Sequence, residues 1–147
     1  MKVHSLGVAY GILLVSLALV SEAQNKNDGK EQESVYAELD KAPAKYQQMR
    51  NPMANDPEAP AAGGVLFREH CESCHGKEAI GGKKAPSLRA PEVQNATPGA
   101  IFWILSNGVV RKKMPVWSKL PEPERWQLVS YIQSLNGGSK VSETGKK

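Results

Sequence analysis

Cys71-Glu72-Ser73-Cys74-His75 is the stretch that most constrains what this chain can fold into, because each fixed position carries a chemical task. C-x-x-C-H is the signature of covalent c-type haem attachment. The two thiols stand three residues apart on roughly one turn of helix, so both can reach the vinyl groups of a single porphyrin as thioethers. His75 follows the second cysteine directly, which carries its imidazole beneath the iron as the proximal ligand. Glu72 and Ser73 are free to vary. Competing readings of the five residues fit less well. A zinc site wants four protein ligands, and the chain offers 2 cysteines and no histidine beyond His75. A thioredoxin-like pair sits between a strand and a helix, and no strand pattern precedes Cys71. A disulfide between cysteines this close would staple almost no loop.

The amino terminus reads as a secretory signal. Lys2 precedes an almost wholly apolar run from Val8 to Val20, and Ser21-Glu22-Ala23 comes next. This predicts a signal peptide over 1–23 with cleavage after Ala23. The run is short for a bilayer span, so no membrane-spanning segment is expected after cleavage; an uncleaved anchor is the alternative. Cleavage removes Lys2 and Glu22 together, so the net charge stays at +4. So mild a basic balance does not argue for nucleic acid. With both cysteines committed to haem, no disulfide framework remains.

Residues 24–55 read as a polar linker or N-terminal extension. Gln24 to Ser34 is nearly all charged or amide, and Pro43 and Pro52 punctuate the remainder of the stretch. No core is expected there, although a short helix through Val35–Leu39 is conceivable and Tyr46, Met49 and Met53 could pack on the domain surface. Whether this stretch is a spacer or a clamp stays open. Residues 138–147 read as a flexible tail. The remaining domain, 56–137, is roughly eighty residues long, a size at which a side-chain core alone is marginal. A covalently held apolar macrocycle at its centre would repair that deficit, so folding is expected to depend on haem.

The domain is predicted to be all-α, with three main helices and loops around one haem. The first runs from Pro57 or Pro60 to Cys74, with Asp56 as N-cap. The second has Thr97 as N-cap, Pro98 at the first helical position, Ile101, Ile104 and Leu105 at helical spacing, and Gly108 as its stop. The third begins near Pro121 or Pro123 and carries Leu128, Tyr131, Ile132 and Leu135 on one face, with Asn136-Gly137 closing it. No segment alternates with a period of two, and no internal repeat is present.

The second axial position is reached by elimination. Of the 3 histidines, His4 leaves with the signal, His75 is used, and His70 precedes Cys71 too closely to reach the distal side. Of the 4 methionines, Met1 is lost, Met49 and Met53 lie in the linker, and Met114 stands in Lys112-Lys113-Met114-Pro115. Pro115 keeps Met114 extended, as a ligand loop laid against a flat ring requires. Met114 is therefore the candidate. The alternatives are Met114 as a gap-filling core residue and an open distal site.

Over Asp56 to Leu135 the chain resembles the class I cytochrome c family. That family places a glycine and an aromatic eight and four residues before the first haem cysteine, here Gly63 and Phe67. It places a leucine and an aromatic three apart on the last helix, here Leu128 and Tyr131. The resemblance implies that the two helices cross at these residues. It also implies that the Pro86 carbonyl accepts a hydrogen bond from His75, and that Met114-Pro115 is the axial methionine with its following proline. Within the class the chain is most similar to short bacterial monohaem cytochromes, which implies the periplasm.

Six-coordinate iron held by His75 and Met114 has no vacancy for a substrate, so the expected function is one-electron transfer and not catalysis. A thioether ligand and burial both favour Fe(II), which predicts a positive midpoint potential. The expected partners are redox proteins: a donor dehydrogenase or cytochrome complex, and an acceptor oxidase or reductase. A monomer that docks weakly and releases suits turnover. Arg111, Lys112 and Lys113, with Lys77, Lys83 and Lys84, form either a basic rim that steers acidic partners or an ordinary solvated surface. Trp117 either lines the haem or joins Trp103 and Trp126 in the core. A haem enzyme or small-ligand sensor with an open or labile distal site is the alternative of another class, and carbon monoxide binding separates the two.

Overall fold

The computed structural model describes residues 35–83 and 85–137. The expected signal segment 1–23, residues 24–34 of the linker, Lys84 and the tail 138–147 lie outside the described residues. The described residues form one compact unit. Its helices are α1 (Ala44–Gln47), α2 (Ala59–His70), α3 (Glu72–His75), α4 (Pro91–Gln94), α5 (Pro98–Asn107) and α6 (Glu122–Ser134). Short 3₁₀ turns occupy Leu39–Lys41, Val110–Lys112 and Leu135–Gly137. Among the described residues there is no strand, only an isolated antiparallel bridge between Val109 and Met114. The all-α cytochrome c architecture expected from the sequence is the one observed.

The most extensive packing is the crossing of α2 and α6. It is made possible by Gly63, where a Cβ would overlap the Gln127 carbonyl and come within 2.9 Å of Tyr131 Cβ. The Tyr131 ring covers Gly64 and lies 5.1 Å from the Phe67 ring. Phe67, Leu128 and Val129 are fully buried around this contact. Each such side chain contributes about 1.5–3 kcal/mol by leaving water. The crossing implied for Gly63, Phe67, Leu128 and Tyr131 is therefore present.

α5 begins and ends as its punctuation predicts. Thr97 Oγ1 accepts from Ala100 N at 3.2 Å, and Gly108 at φ 66° terminates the helix. Ile101 and Leu105 point into the core. α6 takes Pro121 as its N-cap and Pro123 in the first turn, where a missing N–H costs nothing. Trp126 is buried, stacks on Phe102 at 4.1 Å between ring centres, and donates its Nε1–H to Glu122 Oε1 at 3.3 Å.

Sequence and structure differ in two places. The first helix does not run on to Cys74. It stops at His70, and Cys71 (φ −120°, ψ −31°) turns the chain into α3. Cys71 O accepts from both Cys74 N and His75 N, so the motif forms its own tight turn. Asp56 is not the N-cap either; Glu58 holds that position, and Asp56 Oδ1 accepts from Glu58 N just ahead of it.

The second difference concerns residues 35–55, where no core was expected. Tyr36 and Ala42 are buried, and Tyr46, Met49 and Met53 pack against the core. Buried Asn51 donates through Nδ2 to Ser130 Oγ at 2.8 Å and reaches Trp126 O at 3.4 Å. α1 sits on α5 so closely that a Cβ at Gly99 would overlap the Tyr46 carbonyl. The apolar residues here are sparse, and their partners are distant in sequence, so beyond the short spacing of Val35, Tyr36 and Leu39 no local period marks them.

Candidate functional site

His75 is carried into the interior at the end of α3, with 8% of its surface exposed. Its Nδ1 lies 3.0 Å from the Pro86 carbonyl. A carbonyl only accepts, so Nδ1 carries the hydrogen and Nε2 keeps its lone pair for a metal. Burial lowers the His75 pKa, opposed in part by the Pro86 bond, and so favours the neutral ring. The hydrogen bond implied by the resemblance is thus in place.

The loop from Gly76 to Leu88 is shaped to deliver that carbonyl. Gly76 (φ 78°) ends α3, and Gly81 N donates to His75 O at 2.9 Å. Gly81 (φ 73°) runs so near the following backbone that a Cβ there would lie 2.6 Å from Ser87 N. Leu88 N donates to Ala79 O at 2.9 Å, and Arg89 reaches Glu78 O at 2.7 Å and Leu135 O at 2.8 Å.

Cys71 is half-buried and Cys74 exposed, and both thiols are free. Burial, and secondarily the neighbouring Cys74, pushes the Cys71 thiol up to about 11. A redox-active C-x-x-C pair needs the opposite shift, because its chemistry runs through the thiolate. Burial thus gives Cys71 none of the thiolate character of a redox-active nucleophile. Among the described residues there is no group of three or more His, Cys, Asp or Glu that could hold a metal ion.

Met114 closes the second loop of the site. Val109 N donates to Met114 O at 3.1 Å, and Met114 N to Val109 O at 3.2 Å. Between them Val110–Lys112 makes one 3₁₀ turn and Lys113 takes the left-handed conformation at φ 64°. A Cβ on Gly108 would lie 2.7 Å from Met114 O, so only glycine fits where the loop leaves α5. Trp117 N donates to Leu105 O at 3.0 Å, and the Trp117 ring packs against His70 at 5.1 Å.

These pieces surround one cavity of about 360 Å³, within the usual range for cofactor pockets of roughly 300–1,000 Å³. Cys71, Cys74, His75, Pro86 and Met114, all named from the sequence, line it together. Trp117 and His70 line it as well. Sequence reasoning missed Val35, Tyr36, Glu38 and Leu39, which also form its wall. The apolar spacing of Val35, Tyr36 and Leu39 was the available signal. The donor set suits haem: two thiols for thioethers, an imidazole with a directed lone pair, a soft thioether, and an apolar chamber.

The charges read as either a basic rim or an ordinary solvated surface are unequally placed. Arg111 is paired with Glu38, which also holds Lys41 Nζ at 2.7 Å. Lys77, Lys83 and Lys113 are exposed, and Lys84 lies outside the described residues. Apolar groups share the surface here: Ile80, Val110 and Val116 are 64%, 71% and 45% exposed.

Residues 58–132 match the family described as cytochrome c oxidase, cbb3-type, subunit III. The chain is similar to the cbb3-type cytochrome c oxidase subunit CcoP of Rubrivivax gelatinosus, with 32% identity over 110 residues, 73% of this chain. The match spans 36% of that relative, so the chain corresponds to about a third of its length. No solved structure matches. Among the described residues no helix is long and apolar enough to cross a membrane. With the C-x-x-C-H turn, the histidine and methionine loops and the family match together, the chain belongs to the cbb3-type subunit III family and is a c-type cytochrome, a domain that holds haem c covalently and transfers electrons.

Proposed function

We propose that this protein is a periplasmic one-electron carrier with a single haem, attached through Cys71 and Cys74 and held axially by His75 and Met114. The observation that carries this reading is the convergence of both loops on one cavity: the His75 imidazole oriented by Pro86, and Met114 in a loop closed by the Val109 bridge. The bound haem supplies one-electron exchange between Fe(III) and Fe(II) at a positive potential. The chain's own residues supply the rest. Cys71 and Cys74 make attachment permanent, Pro86 fixes the tautomer and orientation of His75, and Met114 fills the remaining position, leaving no room for a substrate. The single C-x-x-C-H and the total of 2 cysteines support one haem per chain.

The proposed organisation is a signal peptide over 1–23, an extension over 24–55, a haem domain over 56–137 and a tail over 138–147. Exposed Ile80, Val110 and Val116, interspersed with Lys77, Lys83 and Lys113, suit brief docking of redox partners. The relative from Rubrivivax gelatinosus is by its name an oxidase subunit, which favours a terminal oxidase as the electron acceptor and makes a stably docked subunit the second reading. Size-exclusion of the native protein separates the two, since a free carrier runs as a small monomer. The intact mass of the exported protein tests the rest: one haem on a chain beginning at Gln24 is expected. A mass without haem, or with more than one, contradicts the proposal.

A further inference from the structure

We propose that residues 35–51 form a strap across the haem cavity, and that Glu38 in this strap is a positioning residue for Met114. The proposal rests on the His75/Met114 ligation of the proposed function.

The strap touches the loops on both sides of the site. Buried Tyr36 donates its hydroxyl to Ser87 O at 3.0 Å, one residue beyond the Pro86 carbonyl that receives the His75 hydrogen bond. Two residues later, Glu38 is 8% exposed and lines the same cavity. Its Oε1 holds Lys41 Nζ at 2.7 Å and pairs with the Arg111 guanidinium. Arg111 stands three residues before Met114, inside the loop that the Val109–Met114 bridge closes. Val110 beside it is 71% exposed, so the loop tip gains little from burial. A tether to a buried carboxylate supplies what burial does not.

The strap is itself fastened at its far end. Gln47 Nε2 donates to Leu39 O at 3.1 Å, and Thr97 Oγ1 donates to Gln47 Oε1 at 2.8 Å. Asn51 bonds Ser130 on α6. A continuous run of contacts thus leads from α5 and α6, through the strap, to the loop that carries Met114. Removing Arg111 leaves the buried Glu38 carboxylate with Lys41 alone, and removing Glu38 takes the loop's side-chain anchor away. The loop, freed of its tether, should open more often and release Met114 from the iron.

Carbon monoxide binding to the reduced holoprotein reads that opening, because the ligand enters only when Met114 leaves. Wild type, Met114→Ala, Glu38→Ala, Arg111→Gln and Lys41→Gln are compared, together with their unfolding midpoints. Arg111→Gln cuts the tether at a half-exposed residue, so it answers the question even where Glu38→Ala fails to fold. Glu38→Ala and Arg111→Gln are expected to speed carbon monoxide binding by about tenfold. The double variant should add little to either single one. Lys41→Gln, which leaves the loop contact intact, should match wild type. Variants that lower the unfolding midpoint but bind carbon monoxide as slowly as wild type would show a merely structural Glu38 and overturn the proposal. If wild type binds it as fast as Met114→Ala, the ligation reading itself fails and the strap has no ligand to position. If wild type resists and Met114→Ala does not, ligation stands and the tether variants decide the strap alone.

Discussion

The loops that face the cavity are built in different ways. The loop from Gly76 to Leu88 is held by its own backbone: Gly81 N on His75 O, Leu88 N on Ala79 O, and the Pro86 carbonyl on the His75 ring. Arg89 adds bonds to two carbonyls, one of them at the end of α6. The loop from Gly108 to Trp117 has the Val109–Met114 bridge, Trp117 N on Leu105 O at its end, a left-handed Lys113, an exposed Val110, and a side-chain tether from Glu38. Backbone bonds and glycine geometry next to the ligand carry more of the first loop, while a side-chain ion pair from outside carries part of the second. Exchange of an axial ligand is therefore expected on the Met114 side.

The largest expected effect comes from taking away what both loops enclose. Without haem, the apolar walls that both loops contribute are left facing water, in a domain whose whole stability is only about 5–15 kcal/mol. Cys71→Ser with Cys74→Ser, which prevents attachment, should leave a chain without cooperative thermal unfolding by circular dichroism. Native-like cooperative melting of that variant would show that the helices hold without haem.

Gly63→Ala strikes the scaffold shared by both loops. Its new Cβ meets the Gln127 carbonyl, so a loss of about 2–3 kcal/mol is expected in denaturant titration of the holoprotein. Gly81→Ala strikes the geometric loop alone. A side chain at φ 73°, set against Ser87, should cost about 1–3 kcal/mol and displace the His75 imidazole resonances in the proton spectrum. Tyr36→Phe removes one hydrogen bond to the same loop and should cost about 1 kcal/mol, with those resonances nearly unmoved. Equal effects of Gly81→Ala and Tyr36→Phe would erase the distinction between geometric and tethered support.

The sequence was most legible where chemistry and local geometry coincide. Thr97, Pro98 and Gly108 marked α5 because caps act over one turn. Cys71, Cys74 and His75 marked the site because attachment fixes their spacing. The joint positions Gly63, Phe67, Leu128 and Tyr131 were legible through a family pattern and not through periodicity. Glu38 was not legible at all. Its partner Arg111 lies far along the chain, and a glutamate in a charged stretch looks solvated until the fold brings the two together. The same distance hid Tyr36 and Asn51, whose partners Ser87 and Ser130 lie 51 and 79 residues further on. The break at Cys71 was invisible for another reason: the double acceptance by Cys71 O is a matter of backbone geometry with no residue signature.

The most direct test of His75/Met114 ligation is the absorption spectrum of the oxidised and reduced holoprotein, wild type beside Met114→Ala. Such ligation predicts a low-spin c-type spectrum with the weak far-red band of methionine bound to ferric iron, lost in Met114→Ala. A wild-type protein without that band, or one whose reduced form binds carbon monoxide readily, would contradict the ligation and bring the enzyme or sensor reading forward.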